Sequence, residues 1–232
     1  MTDQKRNLSL KTAVQLVVFI LILPLSPVLI TRRWAWWEAW AYAGAYILGF
    51  AVSRALAARR HPDLLAERAR MMDHGDAPPW DRVLAPLVGL GGGLIPVASG
   101  MDALWGWSSD FSLGWKLGAL AVILLGYVIS SWALIVNRYF SGMARIQHDR
   151  DHRVVSRGPY SQVRHPGYAG ALLTYLASPV LLDSGWAFLP AVSLGVILVI
   201  RTRLEDRMLQ EQLEGYRAYA DRVQARLVPG LW

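Results

Sequence analysis

What most constrains this chain is the spacing of its apolar stretches. Residues 12–30, 34–56, 83–104 and 113–136 are each long enough to cross a bilayer as a helix, and a fifth region, 168–200, is too long for one crossing. A helical span takes about 20 mainly apolar residues. Asp183-Ser184-Gly185 interrupts the fifth region, which predicts a tight helical hairpin of two shorter limbs. With 54% hydrophobic residues and a mean hydropathy of +0.28, the chain is too apolar for a soluble domain with one core. Eleven Trp and nine Tyr suit the aromatic belts of membrane interfaces. The expectation is an all-α integral membrane protein of about five spans, the last an α-helical hairpin, with a loop and a C-terminal amphipathic helix outside the bilayer.

The first span follows Lys5, Arg6 and Lys11, contains Pro24 and Pro27, and runs into Arg32-Arg33. It lacks a small-x-small cleavage pattern and reads as a retained anchor. The loop at 59–82 predicts a short interfacial helix near 60–75, with Pro62 in its first turn and Leu64, Leu65, Arg68 and Met72 at helical spacing. Gly89 to Gly93 lies inside an apolar span with no Lys-Ser or Lys-Thr after it, so close helix packing, not phosphate binding, is expected of it. From Leu204 to about Arg226, the spacing of Leu209, Leu213, Tyr216 and Tyr219 predicts an amphipathic helix.

The formal charge of +7 and pI near 10.0 would suit nucleic-acid binding only if the cations gathered into a stripe. They are dispersed between apolar spans, as attraction to anionic headgroups requires. Lys and Arg concentrate in the N-terminus, the 59–82 and 138–164 loops and the tail after Arg201; only Arg32, Arg33 and Lys116 lie on the other side. The positive-inside rule then makes the N-terminus, the 138–164 loop and the tail cytoplasmic, at an inner (plasma) membrane in a bacterial setting. Without cysteine there is no disulfide, thiolate metal site or Cys nucleophile.

Chemistry-bearing residues flank the fifth apolar region. Before it stands Gly158-Pro159-Tyr160, then Arg164-His165-Pro166-Gly167-Tyr168; after it come Arg201, Glu205 and Asp206. Ionisable groups at such mouths are costly to keep and are functional candidates by default. Pro166 disfavours helix at His165 and is at home in a first turn, so this block marks where a loop enters the membrane. The four-residue interval puts Arg201 and Glu205 on one helix face, able to pair or to grip a zwitterion, while Asp206 is rotated about 100 degrees away. Taken alone, each motif also reads blandly, as snorkelling charges, a turn or a cap. His148 and His152 imitate a metal pair, but no HExxH pattern accompanies them and no metal is expected.

The combination resembles the isoprenylcysteine carboxyl methyltransferase family, a version of which recurs in integral-membrane phospholipid methyltransferases. Asn137-Arg138-Tyr139-Phe140, the run from Ile146 to Val155, Tyr216-Arg217-Ala218-Tyr219 and Arg226-Leu227-Val228-Pro229 add to the likeness, which is strong over 136–232 and looser over 60–135. It implies membrane helices over 1–135 and a catalytic S-adenosylmethionine-binding region over 136–232. Cofactor contacts are implied at Gln147, His152, Arg153, Val154, Val155, Tyr160, Arg164, His165, Pro166, Gly167, Tyr168, Glu205 and Asp206. Arg201 matches the position assigned to the methyl acceptor, with Arg201 and Glu205 the catalytic pair. Asp206 departs from the family, which usually has a second Glu there. The implied activity is methyl-ester formation on a lipophilic acceptor at the cytoplasmic face, on a lipid or a prenylated molecule or protein. Two alternatives remain: a phospholipid N-methyltransferase, which needs a general base, and an NADPH-dependent oxidoreductase like the membrane sterol reductases. A transporter is disfavoured, since no repeat is visible and the charges cluster at one face.

Overall fold

The computed structural model describes residues 14, 17–69 and 77–232. Lys5, Arg6, Lys11, Met72 and the start of the first predicted span lie outside the described residues, as does the side chain of Leu65. Every regular element among the described residues is helical. A π-turn at Val18–Ile22 runs into α1 (Leu23–Thr31); α2 is Trp37–Arg60, α3 Pro62–Ala69, α4 Asp81–Gly91, α5 Leu94–Trp105 and α6 Leu113–Val136. After a long loop come α7 (Pro166–Leu181), α8 (Phe188–Gln212) and α9 (Tyr216–Arg222). The widened turn has a cause in sequence. Pro24 and Pro27 each lack an N–H and crowd the carbonyl four residues back, at Ile20 and Leu23.

Among the described residues, three segments are long and apolar enough to cross a membrane: α2, the combined stretch Asp81–Trp105, and α6. The burial pattern is that of an all-α membrane protein. Leu48, Val128, Leu189 and Trp115 are among the most exposed side chains, whereas Lys116 is buried between Glu38 at 2.7 Å and Asp183 at 2.5 Å. In lipid, apolar groups face outward and charges must pair inside. Near that end of α6, Trp105 stacks on Trp107, which meets Trp186 edge-on. The long loop leaves the other end.

Helix packing is closest between α6 and α7. A Cβ on Gly126 would meet the Gly170 carbonyl at 2.5 Å, and one on Gly170 would strike the Gly126 carbonyl in return. Small residues at facing positions let the two backbones approach. The Gly89–Gly93 run serves packing in part. Gly91 abuts Leu194, Gly92 abuts Tyr175 and Gly93 abuts Leu23, but Gly89 faces open space.

The interfacial helix begins at Pro62, and Leu64 is fully buried against Ala57 and Leu134. The tail departs from expectation. The second hairpin limb does not end near residue 200 but continues as α8 to Gln212, because no Gly or Pro interrupts a run of good helix formers. Gly215, at φ +79°, makes the break, and only α9 remains of the predicted tail helix.

Candidate active site

The loop between α6 and α7 contains only short 3-10 turns, at His148–Arg150 and Gly158–Ser161, and is held by the chain's last residues. The N–H groups of Arg164 and His165 donate to the carbonyls of Ala225 (3.0 Å) and Arg226 (2.9 Å), and the Tyr219 hydroxyl donates to the Tyr160 carbonyl at 2.7 Å. Beneath this clamp Asp206, 1% exposed, accepts from Arg164 through both oxygens, and from Gln210, Tyr216 and Arg226. His165 Nε2 lies 3.4 Å from it as well. The remaining Arg164 donors go to the carbonyls of Val223 and Gln224. Asp206 therefore joins loop, α8 and tail, and Arg164 is spent on the same joint.

Against this joint lies an open-mouthed cavity of about 740 Å³, open side included. It brings together Gln147, His152, Arg153, Val154, Val155, Tyr160, Arg164, His165, Gly167, Tyr168 and Glu205. Two of the implied cofactor contacts do not line it: Pro166, buried in the first turn of α7, and Asp206, saturated at the joint. Glu205 receives the Tyr168 hydroxyl on Oε2 at 2.6 Å, and the Tyr168 ring stacks parallel on His165 at 5.7 Å. Leu209, Leu213, Tyr216 and Tyr219 close the side formed by α8 and α9. They were visible in the sequence as an amphipathic face but not as cavity wall. Burial pushes the Tyr160 and Tyr216 phenols well up, so both stay neutral.

His148 and His152 share no helix face: the 3-10 turn ends at Arg150, and Asp151 is left-handed at φ +51°. The His152 ring packs on Tyr139, and its Nδ1 accepts the Gln147 N–H at 3.3 Å, which puts its one proton on Nε2. Burial first, then Arg145 and Arg150, pushes its pKa down from 6.5 to about 4. The unfolded chain thus takes up this proton at a higher pH than the folded one, so stability falls as pH drops from 6.5 towards 4. The full loss is roughly 3 kcal/mol. Thermal midpoints measured across that window should fall more steeply for the wild type than for His152→Gln.

Arg201 does not sit with Glu205 in an ion pair. It grips Asp81 of α4 through Nε at 2.6 Å and Nη2 at 3.0 Å, and also donates to the Gly142 carbonyl. Asp81, fully buried, accepts the Ala144 N–H as well. Arg201 lines a second cavity, mainly apolar, about 1500 Å³ with its open side, among α1, α2, α4, α6 and α7. The two cavities share a wall of Phe140, Ser141, Gly167 and Tyr168. Gly167 is required in that wall, because a Cβ there would meet the Phe140 ring at 2.6 Å. Gly167→Ala should therefore displace Phe140 and lower stability by about 1–3 kcal/mol, the usual cost of overpacking, readable in detergent unfolding curves.

These features define a class: a helical membrane protein with a polar pocket at one membrane end, backed by an apolar chamber. Residues 119–211 match the model of the isoprenylcysteine carboxyl methyltransferase (ICMT) family. The chain is 34% identical over 99 residues to the uncharacterised protein YpbQ of Bacillus subtilis, covering 42% of this chain and 58% of that one. It is 27% identical over 116 residues to a probable protein-S-isoprenylcysteine O-methyltransferase of Oryza sativa subsp. indica, covering 47% and 58%. It is 31% identical over 84 residues to protein-S-isoprenylcysteine O-methyltransferase B of Arabidopsis thaliana, covering 36% and 39%. The matches thus span less than two thirds of the curated relatives' own length. They support the resemblance carried by the residues around Tyr160, His165 and Glu205.

Proposed function

We propose that this protein is an S-adenosylmethionine-dependent methyltransferase that esterifies a lipophilic carboxylate at the cytoplasmic membrane face. The observation that supports this reading best is the shared wall between the polar and apolar cavities. A water-soluble donor and a membrane-dissolved acceptor need two compartments and one meeting point, and two cavities adjoining at Gly167 and Tyr168 suit that need.

The residues of the polar cavity fit the donor. Glu205 offers a carboxylate for an ammonium or ribose hydroxyl, Tyr160 and Tyr216 offer aromatic faces for adenine, and His152 offers Nε2–H to an acceptor atom. In the first turn of α7, Pro166 has no N–H and the Tyr168 and Ala169 N–H groups donate to the His165 carbonyl, so the Gly167 N–H is the one left for a ligand there. When bound, S-adenosylmethionine supplies a methyl group carried on a sulfonium. A carboxylate oxygen of the acceptor forms the new C–O bond, the methyl–sulfur bond breaks, and its electron pair stays on sulfur as a neutral thioether. No proton has to leave, so the chain's part is alignment and exclusion of water, worth several kcal/mol. Tyr168 would orient Glu205 on one side of the wall and present its ring to Arg201, 5.2 Å away, on the other.

An amine acceptor would need a base. Asp206 is poorly suited, since six donors already converge on its two oxygens. An amine acceptor would have to use Glu205 or His165, both of which line the polar cavity.

Calorimetry on the detergent-solubilised protein with S-adenosylmethionine and with NADPH tests the cofactor, with binding of the first expected. Binding of NADPH alone overturns the reading. Radiolabelled methyl transfer into membrane extracts should give a base-labile product, and a base-stable one would mean N-methylation.

A further inference from the structure

The apolar chamber contains two cations that are not among the site residues read from the sequence. Arg54 on α2 and Arg68 on α3 both line it, together with Arg201, and both lie outside the family-matched residues 119–211. The other buried or half-buried cations of the fold have acidic partners: Arg201 with Asp81, Arg164 with Asp206, Arg145 with Glu67, Arg150 with Asp63, Lys116 with Glu38 and Asp183. Arg54 and Arg68 have none among the described residues. Arg54 donates to its neighbour Ser53 at 3.0 Å and lies 4.1 Å over the Phe50 ring. Arg68 donates to the carbonyls of Phe140 (3.1 Å) and Ser141 (3.3 Å), two of the four residues that form the wall between the cavities. Burial, and then the nearby Arg54, make the Arg68 charge expensive to hold, and Arg201 adds to that cost. A guanidinium does not escape by losing its proton, so the natural remedy is an anion.

We propose that Arg54 and Arg68 form the anion-recognition site for the methyl acceptor, whose carboxylate they hold in the chamber. This rests on the methyltransferase reading and deepens it by moving acceptor recognition away from Arg201, whose fork is already filled by Asp81. Around the two guanidiniums the chamber offers Phe19, Leu23, Tyr46, Val88 and Tyr127, a surface for an apolar tail. The tail supplies burial, and the charge-assisted bonds supply selection for an acid over a zwitterionic or neutral headgroup. Esterification removes the charge that these arginines read, so the product loses its hold at the moment it forms.

The test measures binding of N-acetyl-S-farnesylcysteine and of its methyl ester to the full chain in nanodiscs of neutral lipid, with S-adenosylmethionine binding run in parallel. The acid should bind at least tenfold tighter than the ester. Arg68→Gln and the Arg54→Gln/Arg68→Gln pair should cost the acid tenfold or more while leaving the ester and S-adenosylmethionine within about twofold, and Arg68→Lys should recover part of the loss. Equal affinity of acid and ester in the wild type overturns the proposal, whatever the variants do. So does a loss in the variants that falls equally on acid and ester. Failure of the wild type to bind S-adenosylmethionine would instead strike at the methyltransferase reading and would leave the acid–ester ratio to decide the anion site.

Discussion

Replacing Glu205 with Gln should weaken S-adenosylmethionine binding by roughly 10- to 100-fold, the range that a lost charge-assisted hydrogen bond of about 1.5–3 kcal/mol implies. The carboxylate is half-buried on the cavity side of α8, and one oxygen is committed to the Tyr168 hydroxyl at 2.6 Å. Its other oxygen has no hydrogen-bond partner among the described residues, which leaves it for a ligand. The substitution keeps the side chain's shape and can keep the Tyr168 bond, so the helices should melt within a few degrees of the wild type. Asp206→Asn is the informative contrast. It unpairs the Arg164 joint and should loosen loop and tail together, costing stability before affinity. Calorimetry and circular dichroism on both variants separate the roles. Unchanged affinity in Glu205→Gln removes Glu205 from the cofactor site.

Residues of the polar cavity were legible in the sequence because they are close along the chain or flank one hairpin. Tyr160, His165 and Tyr168 fall within nine positions, and Pro166 marks the point where the loop becomes α7. Glu205 was legible for a related reason, since a charged residue beyond an apolar run stands out. The sequence misled where partners are distant. The i, i+4 spacing of Arg201 and Glu205 suggested a pair, yet Arg201 bonds Asp81, 120 positions away, and no periodicity encodes such a contact. Arg164 was implied as a cofactor contact, but Asp206 and two tail carbonyls take most of its donors. The end of α8 was misplaced because hydropathy marks where a membrane segment stops and not where a helix stops. Polar helix formers after Ile200 carry the same rod out to Gln212.

Arg201→Ala should destabilise the protein by about 3–5 kcal/mol, because it strands a buried carboxylate that also anchors the Ala144 N–H. Asp81 is fully buried, and among the described residues the guanidinium is the one cation that grips both its oxygens. A turnover measurement on that variant alone would therefore confound a collapsed α4–α8 contact with a lost catalytic group. The double variant Asp81→Asn/Arg201→Gln removes both charges and leaves neutral hydrogen-bonding groups of similar size, so it should recover most of the stability, readable in detergent unfolding curves. If Arg201→Ala unfolds no more readily than the wild type, the pair is not a structural tie. Methyl transfer by the double variant then carries the mechanistic weight. With cofactor binding intact and transfer abolished, Arg201 acts on the acceptor through its place beside Tyr168; with transfer retained, its task is to fix α4 against α8, and acceptor recognition passes to other cations of the chamber.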